Sequence, residues 1–108
     1  MAAYVEIVDI EDGVAAEVAG NVAVRLSSVP PNEWIGFFGQ AWILAIVEGA
    51  IPSDFGQGAC VKSDRILIPN ASREAVARQL EALRRIVAET NRITAGYQGL
   101  LERSHEPH

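Results

Sequence analysis

VAVRLSSVPPNEWIGFFGQAWILAIV, residues 22–47, decides the fold, because its apolar pattern changes character partway along. Val22, Val24 and Leu26 alternate with the small or polar Ala23, Arg25 and Ser27, which is the period of a strand with one buried face. Ser27, Ser28, Pro30, Pro31 and Glu33 then form a helix-start signal: hydroxyls for capping, prolines suited to a first turn, and an acid at the positive end of the helix dipole. The helix should begin near Pro31 and continue, apolar almost all round, to Val47, with Glu48 and Gly49 closing it and Pro52 soon after.

The same grammar extends in both directions. Upstream, Val14, Ala16 and Val18 continue the apolar face, and Gly20 and Asn21 interrupt it as a hairpin or a bend. Residues 4–10, YVEIVDI, read as a first strand that turns at Glu11, Asp12 and Gly13. Downstream, residues 50–58 form a loop, and GACVKSDRILIP, residues 58–69, is a second hairpin turning at Lys62, Ser63 and Asp64.

Ser72 is the expected N-cap of a second helix, with Glu74 in its first turn. Val76, Leu80, Leu83, Val87, Thr90, Thr94 and Tyr97 alternate spacings of four and three along it, Gly96 or Gly99 offers a stop, and Glu74–Arg78 and Glu81–Arg85 stand at the favourable i,i+4 spacing. The expected architecture is α+β: an antiparallel sheet of four or five strands packed on one face by two helices, in the order ββ(β)αββα. One domain covers 1–103, and 104–108 is expected as a flexible tail. The expected core is Val14, Val18, Val22, Val24, Leu26, Trp34, Phe37, Phe38, Trp42, Ile66, Ile68, Val76, Leu80, Leu83 and Val87.

Composition narrows the function without naming it. Nine basic residues against fourteen acidic ones, a net charge of −5, give no positive field for a phosphate backbone, so nucleic acid is not an expected partner. A single cysteine, Cys60, makes no internal disulfide, and the absence of a basic n-region at the N-terminus speaks against a leader; both point to the cytoplasm. Cys60 itself, between Ala59 and Val61, is expected as a buried small hydrophobe. The two histidines, His105 and His108, fall in the expected tail, where no triad or zinc site can fix them. Glu6, Asp9, Glu11 and Asp12 do not follow the calcium-loop spacing, and Glu48 with Asp54 is a weak acid–base pair. No enzyme activity, cofactor or metal is expected.

The anomaly is the first helix, where four of the seven aromatic residues, Trp34, Phe37, Phe38 and Trp42, lie within nine positions. It is too short and too interrupted by Gly36, Gly39 and Gln40 to cross a membrane. It can be a central helix buried between sheet and second helix, a subunit seam, or the wall of a small-molecule pocket with Gln40, Glu48 or Tyr97 as polar groups. Gly36 and Gly39 each cost about 1 kcal/mol of helix propensity, which suggests that a backbone or ligand comes close there. The arginines of the second helix, including Arg84, Arg85 and Arg92, read as an ion-paired face, and would suit an acidic partner if unpaired. The expected function is a non-enzymatic protein-interaction domain, homodimeric, acting as an adaptor or inhibitor of another protein; the alternative is an α+β domain holding a small apolar or aromatic compound under the first helix.

Overall fold

Two antiparallel hairpins share one sheet. The first joins β1 (Ile7–Asp12) to β2 (Val22–Leu26), the second β3 (Cys60–Lys62) to β4 (Arg65–Ile68), and β2 pairs with β4 in the middle, giving the order β1-β2-β4-β3. Helices α1 (Asn32–Val47), α2 (Arg73–Arg78) and α3 (Leu80–Ser104) complete the expected α+β class. The computed structural model describes residues 4–12, 22–53, 55, 59–69 and 71–104. The expected strand residues Val14 and Val18, the turn glycine Gly13, the bend at Gly20 and Asn21, Asp54, and both histidines lie outside them.

Register follows from the apolar pattern. Val22 pairs with Ile68 and Val24 with Ile66, so one row of β-branched side chains faces the helices and all four are buried. Ala23 is buried as well, although alternation puts it on the wet side. It stands between Glu11 and Leu67 in the centre of the sheet, and Arg65 reaches from β4 across β2 to Glu11 at 3.0 Å. In β1, Ile7 and Ile10 are three apart, which simple alternation would send to opposite faces. A register shift between Ile7 and Asp9 leaves Val8 as the extra, exposed residue, and both isoleucines pack on the core.

The hairpin turn lies at Ser63 and Asp64, between paired Lys62 and Arg65, with Ser63 at φ 57°. Because β3 is an edge strand only three residues long, Cys60 is exposed rather than buried, which corrects its reading as a core hydrophobe.

The serines before α1 do not cap it. Pro31 holds the N-cap position with no side-chain bond, and Ser27 Oγ instead accepts from the Glu6 N–H at 2.9 Å, tying the start of the chain to the end of β2. At the other end, Gly49 at φ 79° permits a paired closure in which its N–H reaches the Ile46 carbonyl and that of Ala50 reaches Ala45. The second expected helix is two. Gln79 breaks it, so that α2 sits beside β1 while α3 swings across to α1. No glycine or proline marks the break, and α3 runs on through Gly96 and Gly99 to Ser104 because helix propagation tolerates isolated glycines.

Ser72 caps α2 as expected, its Oγ accepting from the Ala75 N–H at 3.1 Å. Replacing Ser72 by Ala leaves that donor without its partner and should cost about 1 kcal/mol. Thermal melting should fall by about 4–8 °C; an unchanged midpoint would remove the cap from the account.

Candidate functional site

Three of the four helix aromatics are core. Trp34 is fully buried, Phe38 is 4% and Trp42 8% exposed, and together with Ala41 and Ala45 they make the inward stripe of α1. Their rings fill space against one another: Trp34 stacks on Phe38 at 5.3 Å between centroids, Phe38 tilts on Trp42 at 5.7 Å, and Trp42 stacks on Phe55 at 6.2 Å. Phe37 is half-buried and meets Tyr97 of α3 edge-on at 5.5 Å.

Helices α1 and α3 run antiparallel. Glu33 at the start of α1 accepts from Gln98 Nε2 near the end of α3 at 3.1 Å, whereas the end of α1 lies alongside the beginning of α3. Hydrogen bonding to the Glu33 backbone N–H, and then to Gln98, holds the Glu33 carboxyl below its ordinary range.

A groove of about 500 Å³ opens between the second half of α1 and the first half of α3. Its floor includes Ala41, Ala45, Ala82 and Ile86, and Gln40 and Glu48 stand on its rim. No aromatic side chain lines it, so of the polar groups expected of a pocket Gln40 and Glu48 are there, without Tyr97 and without the aromatic wall. Two smaller clefts of about 360 and 190 Å³ flank β1, and Arg84 borders both.

The outward side of α1 is the unexpected part. Ile43 is 63% and Val47 76% exposed, with Gly36, Gly39 and Gln40 on the same side, and Leu44, 51% exposed, stands beside them at the mouth of the groove that it also lines. On α3, Tyr97 is 40%, Leu100 63% and Leu101 42% exposed. Sequence reasoning singled out the aromatic residues of α1 and passed over these aliphatic ones, because a helix apolar nearly all round does not announce which side turns inward.

Of the arginines expected as a partner surface, Arg85 is paired with Glu81 at 3.3 Å, and Arg92 is held by both carboxylate oxygens of Glu89. Glu74–Arg78 forms as expected at 2.9 Å. Arg84 has no ion-pair partner among the described residues. Among those residues there is also no metal-binding group of three or more His, Cys, Asp or Glu, and no helix is long and apolar enough to cross a membrane. No known family, curated protein or solved structure matches this chain.

Two outcomes follow. Trp42→Ala should destabilise the fold by about 3–5 kcal/mol, since it empties a site packed by two rings; a urea midpoint close to that of the unsubstituted protein would show that this residue is not core. The Glu33 carboxyl should titrate below the ordinary glutamate range when followed by carbon NMR. Because its folded pKa is depressed, whatever stability the contact adds is complete above the ordinary value and disappears as pH falls through the lowered one. An ordinary midpoint would remove the contact between the helix ends.

Proposed function

We propose that this chain is a small, non-enzymatic protein-interaction domain of the cytoplasm, which works as a homodimer and serves as an adaptor or inhibitor of another protein. The observation that carries this reading is the exposed aliphatic strip Ile43, Leu44 and Val47 on a helix whose opposite side is already core. A monomer gains nothing from three large aliphatic side chains in water on one surface, whereas an interface does.

The sheet edges support the choice of the helical side. Along β1, Asn91 occupies the backbone groups of Val5, Asp9 Oδ1 accepts from the Ile10 N–H at 2.8 Å, and the bulge interrupts the ladder; these features blunt an edge against strand addition. The opposite edge, β3, offers three residues. Small domains have much surface for their volume, and a mean hydropathy of +0.13 in such a chain agrees with part of that surface being covered.

Native mass spectrometry tests the reading. The expected mass is twice 11.6 kDa, and Val47→Asp should give single chains with an unchanged helical circular-dichroism spectrum, because Val47 takes no part in the core. Single chains at every concentration would overturn the homodimer. An added mass of a few hundred daltons would instead place a small molecule in the groove.

A further inference from the structure

We infer that the furrow between β1 and helices α2 and α3 receives an extended segment of a partner protein, whose carboxylates meet Arg73 and Arg84 and whose apolar side chains lie between them. The inference rests on the interaction-domain reading and names the chemistry that the other protein would offer.

The furrow consists of the two clefts of about 360 and 190 Å³ that flank β1, which share Ile7 and Arg84 and so run into one another. β1 and the residues just before it form one wall, and α2 and α3 form the other. The helical wall carries the two arginines, Arg84 bordering both clefts and Arg73 the smaller one.

These two are exceptions on their helices. Arg78, Arg85 and Arg92 each pair with a glutamate one turn away in the same helix. Among the described residues, Arg73 and Arg84 have no ion-pair or hydrogen-bond partner, and the spacing of the sequence explains it. Val76 and Ala77 stand at i+3 and i+4 from Arg73. Leu80 and Ala88 flank Arg84 at i−4 and i+4, and Glu81, at i−3, is held by Arg85. Two uncommitted guanidinium groups therefore border one cleft. Each presents a planar fork of donors that fits a carboxylate, and two forks from separate helices fix position as well as charge.

Apolar surface lies beside the charges. Tyr4 is 70% and Val8 49% exposed, and both line the furrow. Val8 is the extra residue of the β1 bulge, so the irregularity that interrupts the ladder also supplies an exposed apolar contact. Because the β1 edge is blunted, the segment engages through side chains rather than by adding a strand.

The opposite wall selects among anions. Glu6 and Asp9 line the β1 side, Glu6 accepting from the Tyr4 hydroxyl at 3.0 Å and Asp9 from the Ile10 N–H at 2.8 Å. Together with a net charge of −5, they oppose a polyanion such as nucleic acid, whose charge is continuous. Separate carboxylates interleaved with apolar side chains can meet the arginines and keep apolar groups, not charge, against the β1 wall.

The probe is a fluorescein-labelled hexapeptide alternating glutamate and leucine, followed by anisotropy against the full chain. Binding should saturate, weaken as salt rises, and fall by about tenfold or more when Arg73→Gln and Arg84→Gln are combined. Arg78→Gln with Arg85→Gln removes the same charge from exposed, paired arginines and should change binding by less than about threefold. Equal losses in the two variants would mean that binding follows net charge alone, and would overturn the site. Absence of saturable binding would overturn it too, as would displacement of the peptide by glutarate at the same concentration, which would make the ligand a small acid.

Reversing the charges guards against a variant that merely misfolds. Arg73→Glu with Arg84→Glu should prefer a hexapeptide alternating lysine and leucine, and a retained preference for glutamate would contradict the assignment. No residue of α1 lines the furrow, so Val47→Asp should leave peptide binding intact. Dimers by mass that do not bind the peptide overturn this inference and leave the homodimer standing; single chains that bind it do the reverse.

Discussion

A single side-chain amide, that of Asn91, joins the three parts of this fold that are furthest apart in sequence. Its Oδ1 accepts from the Val5 N–H at 3.1 Å and from the Trp34 Nε1–H at 2.8 Å, and its Nδ2 donates to the Val5 carbonyl at 2.7 Å. Toward Val5 it behaves as a neighbouring strand would, taking both the donor and the acceptor of one residue. Toward Trp34 it satisfies the one polar atom on an indole that is otherwise fully buried. The β1 side of the sheet, α1 and α3 are thus held in one register by a group that is itself 8% exposed. In so dry a place each unmade bond would cost about 1–3 kcal/mol.

Once Trp34 is fixed, the rotation of α1 about its axis is fixed too. Phe38, Ala41, Trp42 and Ala45 must follow it inward at helical spacing, and Ile43 and Val47 are left outside. Thr90 and Thr94 keep α3 compatible with the same core. Each is buried and returns its hydroxyl to a carbonyl one turn back, at 2.7 Å, so that a polar side chain can occupy an apolar stripe. Among the described residues no buried side-chain nitrogen or oxygen lacks a partner. The outward aliphatic strip is therefore a consequence of a core that is otherwise satisfied.

Local chemistry was legible in the sequence, and long-range chemistry was not. The Ser72 cap, the Glu74–Arg78 and Glu81–Arg85 pairs, the turn near Ser63 and the order of strands and helices are each written within a few residues. The central pairing of β2 with β4, the burial of Val5 and Ile51, and the role of Asn91 join segments tens of residues apart, and no periodicity encodes them. The break at Gln79 carries no helix-breaking residue; it arises where α2 lies against β1 and α3 against α1. Of the aromatic cluster on α1, three of its four members belong to the core. The aliphatic residues on the outward side carry no signal of their own, because isoleucine, leucine and valine look the same in sequence whether they point in or out.

The most direct measurement of the Asn91 linkage is a double-mutant cycle on Trp34→Phe and Asn91→Ala, with unfolding free energies taken from urea titrations. Trp34→Phe removes the indole donor and keeps an aromatic ring, and Asn91→Ala removes the acceptor, so the doubly substituted chain loses a bond that either single change has already broken. The account predicts a coupling of about 1–2 kcal/mol between the two positions. Additivity within about 0.5 kcal/mol would mean that α1 and α3 are aligned by packing alone, and would contradict it.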